Sequence, residues 1–126
     1  MMTRYPQLVN AILAAGRAGS DEVSLHAATA AIRQSLLAFG SETPDNIDCA
    51  QRIDFGPSVA RRFGPDRKVG LRIAGSNTPL SDVLWELEGV GVPKQVREAF
   101  PNLTEADIEG GMRFAVLLLA SLECDG

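Results

Sequence analysis

The chain has 126 residues, 45% hydrophobic and 22% charged; these are globular proportions at the size of one domain, and they exclude wholesale disorder. Twelve Lys and Arg stand against sixteen Asp and Glu, a net charge of −4, which excludes a generally basic nucleic-acid coat but leaves room for a local basic patch. Two cysteines, Cys49 and Cys124, are too few for a disulfide scaffold and sit in no metal-ligand spacing.

Residues 5–18 read as a helix. Pro6 suits a first turn, where its missing N–H costs nothing, and Leu8, Val9, Ile12 and Leu13 fall at helical spacing before Gly16 and Gly19 end the run. The apolar stretch Leu8–Ala15 is short and interrupted by Asn10, so it is not read as a signal peptide. Ser20 is the expected cap of a second helix, with Asp21 and Glu22 at its positive end. Leu25, Ala28, Ile32, Leu36 and Phe39 supply its apolar face, and Gly40 closes it. These helices are expected to form an N-terminal helical hairpin over residues 1–40.

Residues 41–51 are polar and contain Thr43-Pro44-Asp45-Asn46, which reads as a linker, with at most a helical turn near Ile47–Ile53. The stretch from Phe55 to Lys68 is rich in Gly and Pro and reads as irregular, so residues 41–68 are expected to be linker and basic loop. Val69–Ile73 and Asn77–Leu80 are short extended candidates around Ala74-Gly75-Ser76, compatible with a small hairpin or edge strand.

From Ser81, a candidate cap, Val83, Leu84 and Leu87 give a helical face that Gly89 and Gly91 break. Pro93 opens a short helix with Val96 and Phe100 inward. Thr104 caps the last helix, with Asp107 at the third position as a shorter version of the usual capping-box Glu. Ile108, Met112, Ala115, Leu119 and Leu122 are expected to line its inner face. The apolar run Phe114–Ala120 is far shorter than the roughly 20 residues a bilayer needs, and reads as a buried helix end. The whole is expected to be mostly α, soluble and cytoplasmic, with residues 69–126 forming a three-helix module and a short β element.

Charge is uneven. Residues 52–72 hold Arg52, Arg61, Arg62, Arg67, Lys68 and Arg72 against Asp54 and Asp66, so this segment is +4 and the remainder −8. One reading is a phosphate-contacting loop; the other is a solvated loop balanced by acids nearby in space. No aromatic interleaving points to base stacking, since Phe55 and Phe63 serve equally as core anchors.

Catalytic patterns are missing. His26 is the single histidine, the glycines match no phosphate loop, and no serine sits in a nucleophile elbow. Glu86 and Glu88, like Glu105, Asp107 and Glu109, alternate along a helix and point apart. No catalytic residue, metal ligand or cofactor is expected, and the chain is not read as an enzyme.

Residues 71–119 carry a patterned series. Leu71–Ile73 lead into Ala74-Gly75-Ser76-Asn77-Thr78-Pro79-Leu80; a helix over Ser81–Glu88 and the Gly89–Gly91 turn follow. Next come Pro93–Ala99, the turn Phe100-Pro101-Asn102-Leu103-Thr104, and Glu105–Ile108 opening the last helix. This series resembles the domain of unknown function 433 family, which includes VapB-type antitoxins. Ser76-Asn77-Thr78 stand where that family usually has Thr-Arg-Ile, and Arg67-Lys68-Val69-Gly70 where it has a Gly-Lys-Pro approach. The resemblance implies a helix-turn-helix-like module, an antitoxin that binds a cognate toxin or other basic protein, and operator DNA bound as a homodimer.

On that reading Arg61, Arg62, Arg67, Lys68 and Arg72 would contact phosphates, and Lys94, Gln95 and Arg97 would lie nearest the bases. The acidic start of the last helix, Glu105, Asp107 and Glu109, opposes phosphate approach. The alternative is an acidic protein-interaction module, or an inhibitor of a nucleic-acid enzyme, that binds no DNA; the −8 remainder suits a basic partner.

Overall fold

Six helices and a two-stranded sheet make up the described residues of the computed structural model, 7–58, 69–90 and 93–123. The fold is mostly α with a short antiparallel β element. Helices α1 (Gln7–Arg17) and α2 (Glu22–Gly40) pack on each other. Asp21, not Ser20, caps α2: its carboxylate accepts from the Ser24 N–H at 3.1 Å and the Ser24 hydroxyl at 2.7 Å. An Asp at that position also meets the positive end of the helix dipole. Ala28, Ile32 and Leu36 are buried as their spacing requires, while Phe39 is left exposed. In α1, Leu8 is fully buried and Leu13 is exposed.

Residues 44–52 are helical, which corrects the expected linker. In α3 (Pro44–Arg52) the Thr43 side chain accepts from the Asn46 N–H, and Pro44 occupies the first turn. A Thr followed by Pro is a helix start as well as a turn signal. The short extended stretch after α3 is also regular. Strand β1 (Ile53–Pro57) pairs antiparallel with β2 (Val69–Ile73), in register from Ile53 opposite Ile73 to Pro57 opposite Val69. Asn77–Leu80 forms no strand of its own; it turns back beside β2 with one isolated antiparallel bridge, Pro79 to Arg72. The register sends Ile53, Phe55, Leu71 and Ile73 to the core face and sets Asp54 across from Arg72 on the other. Gly75, at φ 78°, turns the chain after β2, where the Ile73 N–H donates to Thr78 O at 3.1 Å.

A two-stranded ribbon is marginal alone and has two free edges. Helix α2 covers the β1 edge with side chains. Thr29 Oγ1 accepts from the Phe55 N–H at 3.0 Å and donates to Phe55 O at 3.3 Å. Arg33 donates to Ile53 O at 3.1 Å and to Gln51 O at 3.3 Å.

Helices α4 (Leu80–Val90), α5 (Pro93–Ala99) and α6 (Glu105–Leu122) pack on one another. The expected capping box is present: Asp107 N–H to Thr104 Oγ1 at 3.1 Å and Thr104 N–H to Asp107 Oδ2 at 3.0 Å. One core draws on every element, including Leu8, Ile32, Cys49, Ile53, Ile73, Val83, Val96 and Phe114.

Helices α3 and α6 are joined by a ladder. Arg52 donates to Asp107 at 2.8 Å, the Cys49 thiol to Gly110 O at 3.2 Å, and Arg113 to Asn46 Oδ1 at 3.0 Å. Each step moves three residues up one helix and three down the other, the signature of antiparallel helices in close register. Gly110 permits the approach, since a Cβ there would stand 3.0 Å from Arg52 Cδ; Gly111 does the same for α4, where a Cβ would stand 2.8 Å from Leu80 Cδ1. The Asn46 amide also donates to Gly40 O and Ser41 O, tying the end of α2 to the same ladder.

Candidate interaction surface

The residues expected to bind DNA do not converge on one free basic surface among the described residues. Arg61, Arg62, Arg67 and Lys68 lie outside the described residues. Arg72 is engaged. Its guanidinium grips the Asp54 carboxylate with Nε at 2.7 Å and Nη2 at 3.3 Å, and donates further to Pro57 O and Asn77 Oδ1. It lies across Gly56, where a Cβ would stand 2.6 Å from its Cζ. With its side chain 19% exposed, Arg72 braces the hairpin, a role that its position across from Asp54 in the register explains. Arg97 is exposed, but its Nε donates to Leu103 O at 3.1 Å across the α5–α6 turn. Lys94 and Gln95 are exposed side by side on α5.

The electrostatic surroundings of that pair are acidic. Residues 80–123 carry eight acids against Lys94, Arg97 and Arg113, a net charge of −5. Arg113 is held by Asn46 and lies 3.5 Å from Asp45. Arg52 is shared between Asp48 and Asp107, both at 2.8 Å, and balances one of the two charges. Glu86 is half-buried, while Glu88, Glu98, Glu105, Glu109 and Glu123 are exposed. A surface of this sign repels a duplex and attracts cations.

The largest departure from the sequence reading is on α6. The face toward the core is Gly110, Gly111, Phe114 and Ser121, with Leu117 and Leu118 partly buried against it. Of the face expected inward, only Ile108 is fully buried; Ala115 is half-buried, and Met112, Leu119 and Leu122 are 37%, 62% and 55% exposed. Val116, at 65%, joins them. The helix is thus apolar on two sides, and only one of them is used by the described fold. The signal was present in the sequence: Phe114, Leu117 and Leu118 alternate with Val116 and Leu119, and a helix apolar all round is normally covered all round.

An open groove of about 970 Å³ runs beside this face between α1, β2, α4 and α6, with Leu13, Leu71, Leu84, Ala115 and Leu118 in its lining. A smaller cavity of about 510 Å³ lies between α2 and the hairpin, with His26, Arg33, Asp54 and Arg72 in its lining; Arg33 is already occupied by the backbone and Arg72 by Asp54. No group of three or more metal-binding side chains occurs among the described residues, and none of their helices is long and apolar enough to cross a membrane. No family model, curated protein or solved structure matches the chain.

Proposed function

We propose that this chain is a protein-binding regulator whose partner is a basic protein, the protein-contacting half of the antitoxin-like reading. The observation that carries this is the charge of α4–α6: a helical module at −5, with Arg72 and Arg97 spent on internal hydrogen bonds. A basic partner gains from that field and is steered by it, whereas phosphate contact works against it. In an antitoxin setting the partner would be a toxin with a basic surface. Operator binding would rest on Lys94 and Gln95, which stand exposed together, and on the basic segment Arg61–Lys68.

The test uses the full-length chain and two labelled probes at low salt, an oligolysine and a mixed-sequence DNA duplex. Oligolysine should bind and the duplex should not. Duplex binding that weakens with salt at a slope of about −0.9 per phosphate neutralised, and that is lost in K94E/Q95E or R61E/R62E, would overturn the proposal in favour of a DNA-binding regulator.

A further inference from the structure

The outward line of α6 runs through residues 105, 109, 112, 116, 119 and 123, alternating steps of four and three. That is the spacing of a seam along which a second helix can lie. In order the residues are Glu105, Glu109, Met112, Val116, Leu119 and Glu123, all of them exposed. The seam is apolar at its centre and acidic at both ends. Leu122 and Ala115 widen the centre on the side of the groove, and Arg113 flanks the other side, held by Asn46.

We infer that this seam is the docking site for a single helix of the partner, with apolar residues at alternating three- and four-residue spacing in its middle and Lys or Arg at both ends. The inference rests on the reading of a basic partner and adds the place and mode of contact. Charge decides the occupant. A parallel second copy of this chain would set each seam glutamate against its own counterpart. An antiparallel copy crossing at Val116 would set Glu109 against Glu123. Either arrangement brings carboxylates together as the apolar centre closes, and like charges facing across a helix pair are unfavourable. A helix with cationic ends meets all three glutamates with opposite charge while its middle covers Met112, Val116 and Leu119.

The experiment uses the full-length chain and two labelled three-heptad helical peptides that share a leucine-rich centre, one with Lys at its ends and one with Glu. The Lys-ended peptide should bind at least tenfold more tightly than the Glu-ended one. L119D should weaken it at least tenfold while oligolysine binding is retained. E105Q/E109Q/E123Q should erase the preference between the peptides. In the unmodified chain, the backbone amide resonances that move on adding the Lys-ended peptide should cluster at residues 109–123, which tests the seam without any substitution.

Equal affinity for both peptides, resonance shifts confined to other elements, or no peptide binding while oligolysine still binds would each overturn the docking site. A chain that sediments as a dimer and becomes monomeric in L119D would overturn it too, since the face would then belong to a second copy. Loss of oligolysine binding as well would mean that the basic-partner reading itself had failed.

Discussion

Replacing Thr29 by Val isolates what holds the β1 edge. The two side chains have nearly the same shape and the same branching on a helix, so packing is conserved and only the hydroxyl is lost. That hydroxyl serves both the N–H and the C=O of Phe55, at 3.0 and 3.3 Å, and Phe55 is only 7% exposed. Stranding a buried backbone group costs about 1–3 kcal/mol. The carbonyl, at the longer distance, loses less than the N–H, so the sum should be about 2 kcal/mol. That is a large share of the roughly 5–15 kcal/mol that holds a domain folded. In urea titrations the midpoint should fall by about 1 M with an unchanged slope, since the surface exposed on unfolding is the same. Thr29→Ser, which keeps the hydroxyl, should recover at least half of the loss. Thr29→Val within about 0.5 kcal/mol of the unmodified chain, or Thr29→Ser as damaging as Thr29→Val, would refute the reasoning and return the edge to solvent or to packing alone.

Two further outcomes follow from the α3–α6 ladder. Burial would by itself raise the Asp107 carboxyl, but the Thr104 N–H, the Arg52 guanidinium and the Thr104 hydroxyl outweigh it and hold the group below its ordinary value. Its stabilisation is therefore complete above the unfolded carboxyl value near 3.8 and is lost as pH falls through the lower folded value. Asp107→Asn should cost about 1 kcal/mol at pH 7, and the gap in unfolding free energy between the two proteins should close between pH 5 and pH 2; a constant gap would show that the charge on Asp107 contributes nothing. Burial pushes the Cys49 thiol up to about 11, so little thiolate exists near neutrality. In a Cys124→Ser background, an aromatic disulfide reagent at pH 8 should leave the folded chain unmodified and react on unfolding in urea; rapid reaction without urea would place Cys49 at the surface.

The helices were largely legible because their signals are local. The run Ala28, Ile32, Leu36, the Pro93 start and the Thr104–Asp107 box each declare themselves within a few residues. The sheet was legible only in part. Val69–Ile73 reads as a strand, but its partner Ile53–Pro57 contains Gly56 and Pro57, and nothing local couples segments separated by eleven residues. Asp54 facing Arg72 is visible only once the register is known. The orientation of α6 failed for a related reason. Its two apolar sides are equally good by periodicity, and the groups that choose between them, Asn46, Cys49 and Arg52, lie in a segment that reads as a linker. Of the candidate site, the sign of the charge was legible from composition. The seam was not, because its central residues, Met112, Val116 and Leu119, are of a type that announces a core.

The ladder between α3 and α6 also bears on how quickly the proposed partner helix would be captured. Its three rungs fasten the back of α6 from Asp107 to Arg113 and leave the opposite side bare. The helix need not fold, shift or turn when it is met, so little ordering entropy is lost on this side of the complex. On the proposed docking, encounter would depend on how often an oppositely charged helix arrives in the correct orientation. Dissolved salt that thins the field of Glu105, Glu109 and Glu123 should slow arrival more than it hastens departure.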